Sequence, residues 1–201
     1  MEKSASLNGL ILIGGKSRRM GTPKEKMVWH DKLQREYLAD LLAPYCAQVC
    51  FSCRPEQCAE LGQQPFPALP DAHLDIGPMG GILSAFESDT HSAWLVLACD
   101  LPFVNEQALK QLIAHRDSSK MVTAFRNPIN GLPEPLIAIW EPQSYRTLQE
   151  VATAGNYALR QALDNMPVQM LTPADPTILF NVNTPQEAKQ VPLIAATRQG
   201  R

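Results

Sequence analysis

Between Leu12 and Lys24 the chain reads LIGGKSRRMGTPK, so three glycines (Gly14, Gly15, Gly21) and four cations (Lys16, Arg18, Arg19, Lys24) follow directly on an apolar run. Glycines let a backbone approach a ligand closely and turn N–H groups toward it, and cations offset phosphate charge. Massing that charge at the end of a buried strand is costly unless an anion offsets it, so the stretch reads as a phosphate site. Gly15-Lys16-Ser17 matches the end of a P-loop. The motif G-x-x-x-x-G-K-[ST], however, needs a glycine where Leu10 stands, and Ile11, Leu12 and Ile13 belong to the strand itself. The dinucleotide pattern G-x-G-x-x-G fails too, because Gly14-Gly15 runs on through Lys16 to Met20 before Gly21.

A second chemical signal is Asp100, in Cys99-Asp100-Leu101-Pro102 after the run WLVLA. A carboxylate at the tip of a buried strand suits Mg2+ shared with phosphate oxygens. Asp71 and the turn Gly77-Pro78-Met79-Gly80-Gly81 supply another acid and another glycine-rich approach. The histidines His30, His73, His91 and His115 show no i, i+4 pairing or triad context, and neither Ser17 nor Ser52 has a base nearby in sequence. Nucleophilic catalysis is therefore not expected. Cys50 and Cys53 have C-x-x-C spacing, but no second such pair follows and Cys50 lies in an apolar run, so core cysteines are expected rather than a zinc or redox site.

Positioning these groups falls to short apolar runs at residues 9–13 (GLILI), 49–52, 94–98, 121–125 and 136–140 (LIAIW), which have the length and continuity of strands covered on both faces. Between them lie amphipathic patterns over 35–42, after Asn105 as N-cap, and over 155–163. Thr184-Pro185-Gln186-Glu187 reads as a capped helix start. Residues 63–70, with three prolines, read as a surface connection. Alternating strands and helices predict an α/β fold: one domain of three layers, Rossmann-like, with a mainly parallel sheet whose ligands bind at the carboxyl ends of the strands. The expected boundaries are a tail at 1–8, the domain at 9–192 and a tail at 193–201.

With 201 residues and 45% hydrophobic content the chain can bury one core, and its formal charge of −2 leaves no single-sign field for a polyanion. Nucleic acid and membrane are not expected partners. Five cysteines without an export signal point to reduced thiols and a cytoplasmic location.

The pattern L-x-G-G-x-S-x-R-M-G-x-x-K, with C-D-x-P around Asp100 and N-x-N-T-P at Asn181-Val182-Asn183-Thr184-Pro185, resembles the MobA-like family of NTP transferases that build the molybdenum cofactor. The match runs in order from Leu12 to Pro185. It implies a nucleotidyltransferase fold and guanylyl transfer from GTP to the terminal phosphate of molybdopterin, with Mg2+ as cofactor. By the same resemblance Arg19, Lys24 and Asp100 are catalytic. Leu12, Ile13, Gly14, Gly15, Lys24, Asp71, Gly77, Gly80 and Asp100 hold the nucleotide, Asp100 the metal, and Pro135, Asn181 and Asn183 the acceptor. Lys26 is a second candidate for the phosphate lysine, and Glu134 stands where many relatives carry histidine. Asp71 can accept hydrogen bonds from guanine N1 and N2. The G-P-x-x-G turn resembles the guanylyl branch more than the cytidylyl one. Transfer from CTP, transfer to another small molecule, and a non-catalytic nucleotide carrier stay open. Transient contact with other cofactor-building proteins or apo-molybdoenzymes is also implied.

Overall fold

Period-two alternation along the apolar runs builds two cores, one on each face of a single sheet. Ile11, Phe51, Leu95 and Leu97 point to one side, while Leu10, Cys50, Trp94 and Val96 point to the other. The computed structural model describes residues 5–14, 24–61 and 65–199. Among them seven strands, β1 (Leu7–Leu12), β2 (Val49–Cys53), β3 (Ala68–Pro70), β4 (Ala93–Ala98), β5 (Val122–Arg126), β6 (Pro133–Trp140) and β7 (Val168–Leu171), lie in the order β3-β2-β1-β4-β6-β5-β7. All neighbours pair in parallel except β6, which runs antiparallel to both β4 and β5.

Helices α1 (Gln34–Leu42) and α4 (Glu106–Ala114) cover the first face through Leu38, Leu42, Leu109 and Leu112. The second is covered by α3 (Pro78–Ser88), α5 (Ser144–Thr153) and α6 (Leu159–Leu163), through residues such as Ile82, Phe86, Leu148 and Leu163. A short α2 (Cys58–Leu61) follows β2, and α7 (Pro185–Gln199) closes the described chain. The fold is thus the expected three-layer α/β domain with a mostly parallel sheet. Regular structure extends past both ends of the expected 9–192 segment, since β1 starts at Leu7 and α7 reaches Gln199.

Two expectations are corrected. The segment read as a surface connection carries β3, an edge strand, where prolines are tolerated because one flank has no ladder partner to lose. The helix expected over 155–163 is confined to Leu159–Leu163. Gly155, at φ +78°, instead terminates α5: its N–H donates to the Ala152 carbonyl at 2.9 Å and the Asn156 N–H reaches back to the Val151 carbonyl at 3.2 Å. The caps read from sequence are present. Asn105 accepts from the Ala108 N–H at 3.0 Å, and Glu187 accepts from the Asn183 and Thr184 N–H groups while donating its own N–H to the Thr184 hydroxyl.

Candidate active site

The carboxyl ends of β1, β2, β3 and β4 open onto a cavity of about 410 Å³. Each strand end contributes a group to it because the strands stay in register to their tips. The Ile13 N–H donates to the Ser52 carbonyl at 2.9 Å, and the Asp71 N–H donates to the Cys53 carbonyl at 2.8 Å. Gly14 lines the cavity between the two, and an ideal Cβ there would lie 3.0 Å from an Asp71 carboxylate oxygen, so the close approach depends on glycine.

The charged end of the cavity is built from three distant stretches of chain. Lys24 begins a 3-10 turn, Lys24–Lys26, and its Nζ donates to Asp100 Oδ2 at 3.1 Å and to Asn183 Oδ1 at 2.6 Å. The side chains of Lys24 and Asp100 are only 16% and 18% exposed, so the pair is screened from bulk water. Asp100 is fixed by the turn after β4, and its carbonyl accepts from the Val182 N–H at 2.8 Å. That bond brings Asn183 alongside, while the α7 cap holds the Asn183 backbone through Glu187. Asp100 Oδ1 is buried with no hydrogen-bond partner among the described residues. A buried, unsatisfied carboxylate oxygen beside an amide oxygen is a donor set suited to a hard cation.

Asp71 marks the other end. It follows β3, three strand spacings from β4, which is roughly 14 Å at the usual separation of neighbouring strands. Ser52 Oγ donates to Asp71 Oδ1 at 2.7 Å. Burial holds the Asp71 carboxyl above its ordinary range, opposed in part by that hydroxyl and by Arg54 and His73. A carboxyl raised on folding favours the fold when protonated, and its contribution is lost as pH rises through the raised value. Asp71→Asn is therefore expected to raise Tm at neutral pH, with the gain shrinking at mildly acid pH. Thermal scans at the two pH values check it.

The other expected residues fall as follows. Leu12, Ile13, Gly14, Lys24, Asp71, Gly77 and Asp100 all line the cavity. Gly77, at φ +67°, is the N-cap of α3. Gly80 is buried and faces the His73 carbonyl rather than the cavity, and its neighbour Gly81, packed against Ser52 and Leu12, is the one that lines it. Gly15 and Arg19 lie outside the described residues, as do Lys16, Ser17, Arg18 and Gly21. Lys26 points away and pairs with Glu60 at 2.7 Å.

Pro135, Asn181 and Asn183 meet in a second cavity of about 220 Å³, which shares Asp100, Leu136 and Asn183 with the first. Glu134 also lines it, with Oε1 accepting from Arg160 at 2.8 Å and from Asn127. Sequence reasoning set Ser52 aside as a nucleophile without placing it in the cavity, and missed Arg54 and Arg160. Arg54 donates to the Gly14 carbonyl at 3.3 Å and to Asp75 at 2.7 Å, joining two walls of the first cavity.

The C-x-x-C spacing brings no thiols together. Residues three apart on a strand face opposite ways, so Cys50 packs in one core and Cys53 in the other, with Cys53 Sγ 3.2 Å from Cys58 Sγ. Burial pushes the Cys50 thiol up to about 12.

Comparison with known proteins places this geometry among relatives. Residues 9–170 match the model of the MobA-like NTP transferase domain. A molybdenum cofactor biosynthesis bifunctional protein of Synechocystis is 34% identical over 92% of this chain, which spans about half (53%) of that relative's length. A molybdenum cofactor guanylyltransferase of Pseudomonas entomophila is 28% identical over 88% of this chain and 93% of its own. The crystal structure of molybdopterin-guanine dinucleotide biosynthesis protein A from Archaeoglobus fulgidus superimposes with a TM-score of 0.79 at 24% identity, covering 94% of this chain and 99% of that one.

Proposed function

Because the chain belongs to the MobA-like NTP transferase family, we propose that it transfers GMP from GTP to the terminal phosphate of molybdopterin, releasing pyrophosphate. The observation that carries the reading is the junction of the two cavities at Asp100 and Asn183. A nucleotide in the larger cavity then presents its α-phosphate at the opening from which an acceptor enters, as a displacement at phosphorus requires.

In this reading an oxygen of the acceptor phosphate forms a bond to the α-phosphorus while the bond to the pyrophosphate oxygen breaks. A phosphate monoester is already ionised near neutral pH, so no general base is called for. Lys24 offsets charge on the triphosphate, the Gly14 turn lets it approach the strand tips, and Asp71 accepts from the donor edge of guanine. Asp100 and Asn183 would hold a divalent ion, taken as Mg2+, whose chemistry when bound is to neutralise and align phosphate oxygens. Arg19 is assigned to the same phosphates. We place the reaction in the cytoplasm, in keeping with five unpaired cysteines. Among the described residues no helix is long and apolar enough to cross a membrane.

Incubation with GTP, Mg2+ and molybdopterin, followed by mass detection of the dinucleotide and assay of pyrophosphate, tests the proposal. Replacing GTP by CTP is expected to slow the reaction sharply, and a preference for CTP would overturn the guanylyl assignment. GTP binding with no pyrophosphate formed would favour a carrier instead.

A further inference from the structure

The second cavity poses an electrostatic problem. Two carboxylates, Asp100 and Glu134, line a space that on the reading above must admit a phosphate dianion. Lys24 pairs with Asp100 from the nucleotide side. Glu134 is 7% exposed, so its charge has little water to screen it, and an unpaired carboxylate there would repel the acceptor. Among the described residues that line the cavity, the basic one is Arg160. Its Nη2 donates to Glu134 Oε1 at 2.8 Å, and the same oxygen accepts from Asn127 Nδ2 on the turn after β5.

We propose that Arg160 binds the phosphate monoester of the acceptor, and that Glu134, braced by Asn127, is the positioning residue that aims it. A guanidinium has five N–H donors, and the bond to Glu134 leaves several of them for phosphate oxygens in a fork geometry. The side chain is 48% exposed, which leaves it room to receive a ligand from solvent. Its place in the fold is set by the Gly155 stop, which ends α5 and lets α6 begin with Leu159 beside the start of β6. The carboxylate at position 134 thus acts through the arginine and does not itself touch the acceptor. The inference rests on the acceptor being a phosphate monoester, as nucleotidyl transfer to molybdopterin requires.

Equilibrium binding of molybdopterin, read by pterin fluorescence, is measured for the wild-type chain and for Arg160→Ala, Arg160→Lys and Glu134→Gln, alongside GTP binding and the steady-state KM for each substrate. Arg160→Ala is expected to weaken the acceptor by about 10- to 100-fold, the worth of one or two charge-assisted hydrogen bonds, with GTP affinity unchanged. Arg160→Lys recovers part of that loss. Glu134→Gln loses less than Arg160→Ala, and the double variant loses less than the sum of the two. An unchanged acceptor affinity in Arg160→Ala overturns the proposal, as does an equal loss for GTP and acceptor, or a wild-type chain that binds no molybdopterin. A wild-type chain that binds molybdopterin through Arg160 yet forms no pyrophosphate sinks the transfer reading and leaves the arginine assignment standing.

Discussion

Asp100→Asn is expected to reduce pyrophosphate release by about 10³-fold while the chain stays folded and still binds GTP, since the charge stabilisation lost is of the size seen when one preorganised group is removed from a reacting centre. The substitution keeps the side chain's shape but replaces one carboxylate oxygen with an amide nitrogen. It therefore removes a charge that pairs with Lys24 and an oxygen, Oδ1, that is buried without a partner. Circular dichroism and GTP titration separate folding and binding from turnover. Turnover near the wild-type rate would mean that Asp100 merely anchors Lys24.

Lys24→Met is expected to lower kcat/KM for GTP by about 10²- to 10³-fold, again the scale of one electrostatic contact to a reacting phosphate. A second consequence distinguishes it from a simple loss of affinity. Lys24 Nζ donates to both Asp100 Oδ2 and Asn183 Oδ1, so in the ligand-free chain an ammonium stands where a metal ion would compete for the same oxygens. Removing the ammonium is expected to tighten Mn2+ binding in the absence of nucleotide, measurable by the loss of the free-ion electron paramagnetic resonance signal. Weaker binding of Mn2+ in the variant than in the wild type would show that Lys24 and the ion do not share those oxygens.

Much of this site was legible along the chain because its parts sit at strand tips and helix starts, where local signals are strong. Asp100 followed a run buried over its whole length, and Thr184-Pro185-Gln186-Glu187 announced the cap that fixes Asn183. Placing Lys24 against Asp100 was implied by the shared rim; of the two candidate lysines, Lys24 faces Asp100 and Asn183 while Lys26 pairs with Glu60. Groups whose position depends on a distant partner were not legible. Arg160 enters the second cavity only because Glu134, on another element, holds it, and Arg54 bridges Gly14 and Asp75 across the first. The strand β3 was hidden by the prolines in and before it, of which only Pro70 lies in the strand, at an edge where its penalty vanishes. The helix α5 was missed because it buries few residues, with Leu148 the apolar one among them.

The reversal of β6 has a corollary. Because it runs against β4, its first residues, Pro133 to Leu136, arrive at the rim where the neighbouring strands finish. The hairpin preceding it, 127–132, joins β5 to β6, and β5 is separated from β4 by β6 in the sheet. On the proposed reading, changes in that hairpin act on the acceptor side, through the bond from Asn127 to Glu134, and leave the nucleotide cavity untouched. Grafting this six-residue loop between homologues is therefore expected to move acceptor affinity and to leave GTP affinity unchanged.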